Sequence, residues 1–282
     1  MTMTMRERLM AAICWCMAAV AVQAAKVDTV QVRSTAMNKD VNVLYVIPDQ
    51  ALGAQAQACP VVYLLHGYSG NERTWIGIKP DLPAIADAKG IIFACPDGKN
   101  SWYWDSPKNP EYRYETFVSK EMIDYTDSHY KTIADRSGRA ITGLSMGGHG
   151  ALWNAFRHTD VFGAAGSTSG GVDIRPFPLN WQMNKQLGEM SANKALWDSH
   201  TVINQLDRLE NRQLALIIDC GESDFFLEVN KTLHQRLLGK GIDHDFITRP
   251  GAHKNEYWKN SIDFQILFFE KFFNAKGVPT GK

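Results

Sequence analysis

The sequence predicts an α/β protein: a mainly parallel central sheet, helices on both faces, and an antiparallel hairpin at the N-terminal edge. Three observations point there. Short apolar runs bounded by glycine, proline or aspartate recur along the chain. Segments with helical spacing separate most of them. The first two runs, residues 27–34 and 41–47, have no helix between them, so they pair as a hairpin.

The later elements follow in order. "VVYLL" (61–65) is a buried strand that stops at His66 and Gly67, and "IIFACP" (91–96) is another, with the helical "LPAIADAK" (82–89) between them. "TFVSKEMIDYTDSHY" (116–130) sets Phe117, Met122, Ile123 and Tyr130 on one helical face. "RAITGL" (139–144) is the next strand and "GHGALWNAFRH" the helix after it. The strands "VFGAAGSTSGG", "QLALIIDCG" (213–221) and "HDFITRPG" (244–251) alternate with the helices "FFLEVNKTLHQRLLGKG" and "IDFQILFFEKFF". About forty residues, 171–212, lie between two core strands, more than a crossover needs. They hold "RPFPLNW" and a helical-looking "TVINQLDRLEN", and we expect a lid-like insertion over the carboxyl ends of the strands.

The N-terminus reads differently. Arg6 and Arg8 precede an apolar run from Leu9 to Val22, and small residues follow at Ala24 and Ala25. That is the layout of a secretory signal peptide over residues 1–24, cleaved near Ala24, and it implies a secreted or periplasmic protein. The fourteen apolar residues are short for a membrane span, which needs about 20. Residues 25–282 then form a single domain, for which 45% hydrophobic residues supply an ample core. Lys+Arg and Asp+Glu balance at 30 each, which leaves no electrostatic footprint for nucleic acid. Cys59, Cys95 and Cys220 remain after the leader and read as buried free thiols; no C-x-x-C pair marks a zinc site.

The chemistry centres on "ITGLSMGGHGALW". Gly143-x-Ser145-x-Gly147 follows a strand and opens a helix, the context of a nucleophile elbow. The glycines allow close backbone approach, and the turn would aim the Met146 N–H at a developing oxyanion. Serine needs a base. His253, in the glycine-containing loop after the last strand, is the candidate, because His244 begins that strand and lies at its wrong end. His149 reads as a helix residue, and His66 as a loop brace. The orienting carboxylate should follow the penultimate strand. Asp224 is preferred there and Glu222 is the alternative, since Asp219 is still within the strand. "LLHGYSG" offers the Tyr68 N–H as second oxyanion donor.

With these segments placed, "LLHGYSGNERTW", "SWYWDSP", "RAITGLSMGGHGAL", "DCGESDFF" and "PGAHKNEYW" resemble the esterase D family of α/β-hydrolases, whose members include tributyrin, feruloyl and acetylxylan esterases and S-formylglutathione hydrolases. The likeness runs from about residue 41 to 273. It implies a Ser145–His253–Asp224 triad, an oxyanion hole of Tyr68 and Met146, no cofactor and no metal. The implied substrate is a small or polysaccharide-linked ester. Trp102, Tyr103, Trp181 and Trp258 are the expected aromatic walls for a sugar or ferulate ring. The leader departs from the cytosolic S-formylglutathione hydrolases. A thioesterase of that kind, a serine peptidase and a non-catalytic binding protein of the same fold are the competing readings.

Overall fold

The computed structural model describes residues 25–281. Eight strands form one sheet: β1 (Lys26–Ser34), β2 (Lys39–Ile47), β3 (Val61–Leu65), β4 (Ile92–Pro96), β5 (Arg139–Gly143), β6 (Ala164–Thr168), β7 (Ala215–Gly221) and β8 (Asp245–Arg249). Their order is β1-β2-β4-β3-β5-β6-β7-β8. The hairpin β1–β2 is antiparallel and sits at one edge, and β2 also runs antiparallel to β4. Every other pairing is parallel. The expected class and edge hairpin are both present. The leader expected over residues 1–24 lies outside the described residues.

The α-helices of five or more residues are α1 (Thr74–Ile78), α2 (Leu82–Lys89), α3 (Met122–His129), α4 (Met146–Arg157), α5 (Met183–Leu187), α6 (Lys194–Ser199), α7 (Leu227–Gly239) and α8 (Asn255–Ala275). The period of two along each strand sorts the core into two layers. Val61, Tyr63 and Leu65 of β3 face one layer with Met122 of α3, Leu152 and Phe156 of α4, and Leu233 of α7. Val62 and Leu64 face the other, with Trp75, Leu82, Ile262, Ile266 and Phe269 of α1, α2 and α8. No described helix is long and apolar enough to cross a membrane.

Four details differ from the sequence reading. Helix α1 spans five residues, too few to register as a periodic pattern. A π-helical turn, Phe117–Glu121, precedes α3. Helix α8 starts at Asn255, so Tyr257 and Trp258 belong to it. "TVINQLDRLEN" is two 3₁₀ turns, Val202–Asn204 and Leu206–Arg208. Side chains compete there with helix hydrogen bonding: Thr201 Oγ1 donates to Trp197 O and Gln205 Nε2 to Ser199 O.

The 171–212 insertion sends a minority of its side chains into the core. Met183, Leu187, Trp197 and Val202 are fully buried, and Arg175 clamps Asp173 and Asp198. Its tip is different: Leu179 is 88% exposed, and Trp181 beside it is half-buried.

Candidate active site

Parallel strands put their carboxyl ends, and the loops that follow them, on one side of the sheet. Ser145 follows β5, Asp224 follows β7, His253 follows β8 and Tyr68 follows β3. Topology alone therefore brings the four sequence-predicted loops together.

Ser145 has φ 56° and ψ −117°, a conformation that a residue with a Cβ rarely adopts. The turn is held by two bonds: Ser145 N–H donates to Thr168 O at 2.9 Å, and Gly147 N–H donates to Leu144 O at 2.7 Å. A Cβ on Gly147 would lie 2.2 Å from the Leu65 carbonyl oxygen, so this position admits no side chain.

Oγ of Ser145 is 2.9 Å from His253 Nε2. His253 Nδ1 is 2.9 Å and 3.1 Å from the two carboxylate oxygens of Asp224. A carboxylate only accepts, so Nδ1 carries the proton and the Nε2 lone pair faces the serine hydroxyl. Asp224 is buried, and its Oδ1 also accepts from Phe226 N–H at 2.8 Å. The alternative acid, Glu222, is exposed and makes no bond to His253. Asp219 is fully buried in β7, where Thr168, Ser261 and Gln265 donate to it; burial raises its pKa. The acid and base loops are joined through backbone bonds, Glu222 N–H to Arg249 O and Ser223 N–H to Gly251 O.

Tyr68 and Met146 N–H groups find no backbone acceptor among the described residues. Met146 opens α4, so its N–H also carries the positive end of that helix. The Tyr68 loop is braced from beneath. His66 is buried, donates through Nδ1 to Gly67 O at 2.6 Å and accepts Gly98 N–H at Nε2. His149 is buried within α4, bonded to Gly171 O and to Trp104 Nε1. Burial drives its pKa down to about 3, so it stays neutral.

A cleft of about 290 Å³ opens over Ser145 and His253, lined by Gly67, Tyr68, Thr74, Trp181, Phe225 and Trp258 among others. Two of the four expected aromatic walls, Trp181 and Trp258, are there. Trp102 and Tyr103 are not, which corrects that expectation: both are buried, 1% and 0% exposed. Tyr103 Oη donates to His66 O, and the Trp102 ring stacks on Trp104 beneath the insertion. Phe225 lines the cleft without having been singled out; its one signal was an aromatic residue directly after the acid. A larger hollow of about 590 Å³ lies at the amino ends of β7 and β8, around Leu214, His244 and Phe272. No serine, threonine or cysteine lines it, so it offers no hydroxyl or thiol nucleophile. Among the described residues, no group of three His, Cys, Asp or Glu is placed to hold a metal ion.

Comparison with known proteins places the chain among esterases. The chain matches the family model described as "Putative esterase" over residues 34–269. It is 27% identical over 214 residues to the acetyl esterase of Caldicellulosiruptor saccharolyticus, covering 71% of this chain and 79% of that one. It is 28% identical over 253 residues to an esterase of Mycobacterium tuberculosis, covering 79% of this chain and 54% of the relative, so it spans about half of that protein's length. The solved structure of a ferulic acid esterase superposes with a TM-score of 0.77 at 26% identity, covering 89% of this chain and 99% of that one. The chain belongs to this esterase family, carboxylic ester hydrolases built on the α/β-hydrolase fold.

Proposed function

We propose that the protein is a serine carboxylesterase in which Ser145, His253 and Asp224 form the catalytic triad. One observation carries the reading: an unbroken chain of bonds of about 3 Å runs from a strained serine, through imidazole, to a buried carboxylate. Ser145 Oγ attacks the ester carbonyl carbon while His253 Nε2 takes its proton. Asp224 stabilises the resulting imidazolium. Tyr68 and Met146 N–H groups receive the oxyanion of the tetrahedral intermediate. The imidazolium then protonates the leaving alcohol. Water, deprotonated by His253, attacks the acyl-enzyme and releases the acid.

The substrates we propose are feruloyl, acetyl or short-chain acyl esters, such as those carried by plant polysaccharides. The names of the acetyl esterase and ferulic acid esterase relatives support this, as do the small cleft and its aromatic walls. Export after cleavage near Ala24 is part of the proposal. Ala25 N–H donates to Asp87 Oδ2 at 2.6 Å, so an α-ammonium freed at that residue would meet a carboxylate. N-terminal sequencing of the protein recovered outside the cytoplasm tests the cleavage; a retained leader refutes it.

The purified protein should hydrolyse esters in a panel of methyl ferulate, acetylated xylan, tributyrin and S-formylglutathione. Ser145→Ala should lose at least about 10³-fold in kcat. Equal activity in both proteins overturns the mechanism, and turnover confined to S-formylglutathione would replace the substrate assignment by the thioesterase alternative.

A further inference from the structure

Phe225 breaks the usual rule for large aromatic residues. It is 51% exposed, although its neighbour Phe226 is buried. Its ring lies against His253, with centroids 4.3 Å apart and planes tilted by 37°. It also stacks on Trp181, at 5.7 Å and 20°. Trp258 closes another side of the imidazole, edge-on at 4.9 Å. Trp181 itself sits on a strained tip: Trp181 and Gln182 have φ values of 48° and 53°, two consecutive non-glycine residues in the left-handed region. Such strain persists only where surrounding contacts over-determine it. Here the contacts are the stack of Trp181 on Phe225 and its tilted contacts with Phe177, Phe226 and Trp102.

His253 rides on a loop, and its polar partners are Asp224 at Nδ1 and the Ser145 hydroxyl at Nε2. Those bonds lie near the plane of the imidazole, and Phe226 and Trp258 meet the ring edge-on, so rotation about the Nδ1–Nε2 line is the freedom they restrain least. A flat ring against the imidazole removes that freedom. We propose that Phe225 is a positioning residue that holds His253 in its reactive orientation, and that Trp181, acting through Phe225, couples the tip of the 171–212 insertion to the base. This rests on the reading of His253 as the base.

The test compares kcat and KM of wild type, Phe225→Ala, Phe225→Leu, Phe225→Tyr, Trp181→Ala and the Trp181→Ala/Phe225→Ala double variant. The substrates are methyl acetate, whose leaving group carries no ring for Trp181 to hold, and 4-nitrophenyl acetate. Phe225→Ala and Phe225→Leu should each lower kcat about tenfold on both esters with KM little changed. Phe225→Tyr, which keeps the flat face, should restore kcat, and the thermal midpoint should stay near wild type because the ring is half-exposed. The double variant should be no worse than Phe225→Ala, since Trp181 acts through it. Wild-type kcat in Phe225→Ala, a loss confined to KM or to the nitrophenyl ester, or additive losses in the double variant would each overturn the proposal. If the alanine variant does not fold, leucine against tyrosine carries the same comparison. A wild type that cleaves neither ester, or an active Ser145→Ala, would instead sink the underlying esterase mechanism.

Discussion

Gly147→Ala should damage stability and activity together. The added Cβ would sit 2.2 Å from Leu65 O and 2.6 Å from His66 O. Comfortable carbon contacts are about 3.5 Å, so roughly 1 Å of relief is needed. The atoms in the way are backbone, and no rotamer change can move them. They belong to the end of β3, which is buried along its whole length and paired with β4 on one side and β5 on the other. Forcing that strand should cost about 3 kcal/mol, the upper part of the overpacking range. For a chain of this size each kcal/mol lowers the thermal midpoint by about 2–4 °C, so the expected drop is about 6–12 °C. The same displacement carries His66 and Gly67, and with them the Tyr68 N–H. A misplacement of about 1 Å at a reacting group costs on the order of 100-fold in kcat. Gly77→Ala in α1 is the control, because nothing lies within 4 Å of its added Cβ. It should leave kcat unchanged and raise stability by about 0.5–1 kcal/mol. Circular dichroism melts and 4-nitrophenyl acetate kinetics read both outcomes. A Gly147→Ala variant that melts and turns over like wild type would refute the claim that backbone crowding builds this turn.

Two further expectations follow from the same geometry. Asp224→Asn keeps the shape of the acid but loses its charge and invites the wrong imidazole tautomer, so kcat should fall about 10³- to 10⁴-fold with the fold intact; a loss below tenfold would return Glu222 to consideration. Glu115 should make stability pH-dependent. Burial opposes its charge, yet bonds from His158, Arg157 and Trp153 outweigh that and hold its pKa down at about 2, against an ordinary 4.5. A depressed carboxylate pKa stabilises the fold fully above the unfolded value and loses that contribution as pH falls toward the folded one. The shift of about 2.5 corresponds to about 3 kcal/mol. Urea midpoints should therefore separate wild type from Glu115→Gln at pH 7 and bring them together near pH 2–3; a constant gap across that window would refute the assignment.

The parts of the fold legible in the sequence share one property: they depend on local periodicity or on chain order. Strands β3, β4 and β7 are short apolar runs, and such runs are recognisable because both faces of a parallel sheet are covered. Helix α1 is too short to display a period, and the two 3₁₀ turns read as one helix because their combined spacing is helical. The extent of α8 was also underread: its first turn, around Tyr257 and Trp258, is ordered by packing against the loops that hold His253.

For the site, sequence alone determined the serine between its glycines, the order serine, acid, histidine, and the loop that offers Tyr68. Those follow from connectivity, since parallel strands deliver every following loop to the same side of the sheet. Tertiary structure decided what connectivity leaves open. Glu222 and Asp224 are two residues apart and chemically alike; burial and a 2.9 Å contact with His253 separate them. "SWYWDSP" carries the same aromatics whether they line a pocket or fill a core, and Trp102 and Tyr103 prove to fill the core. Phe225 meets Trp181 and His253 only when loops from three distant parts of the chain converge. A side chain's role depends on which atoms reach it, and between residues so far apart in the chain only the packing of the fold sets that distance.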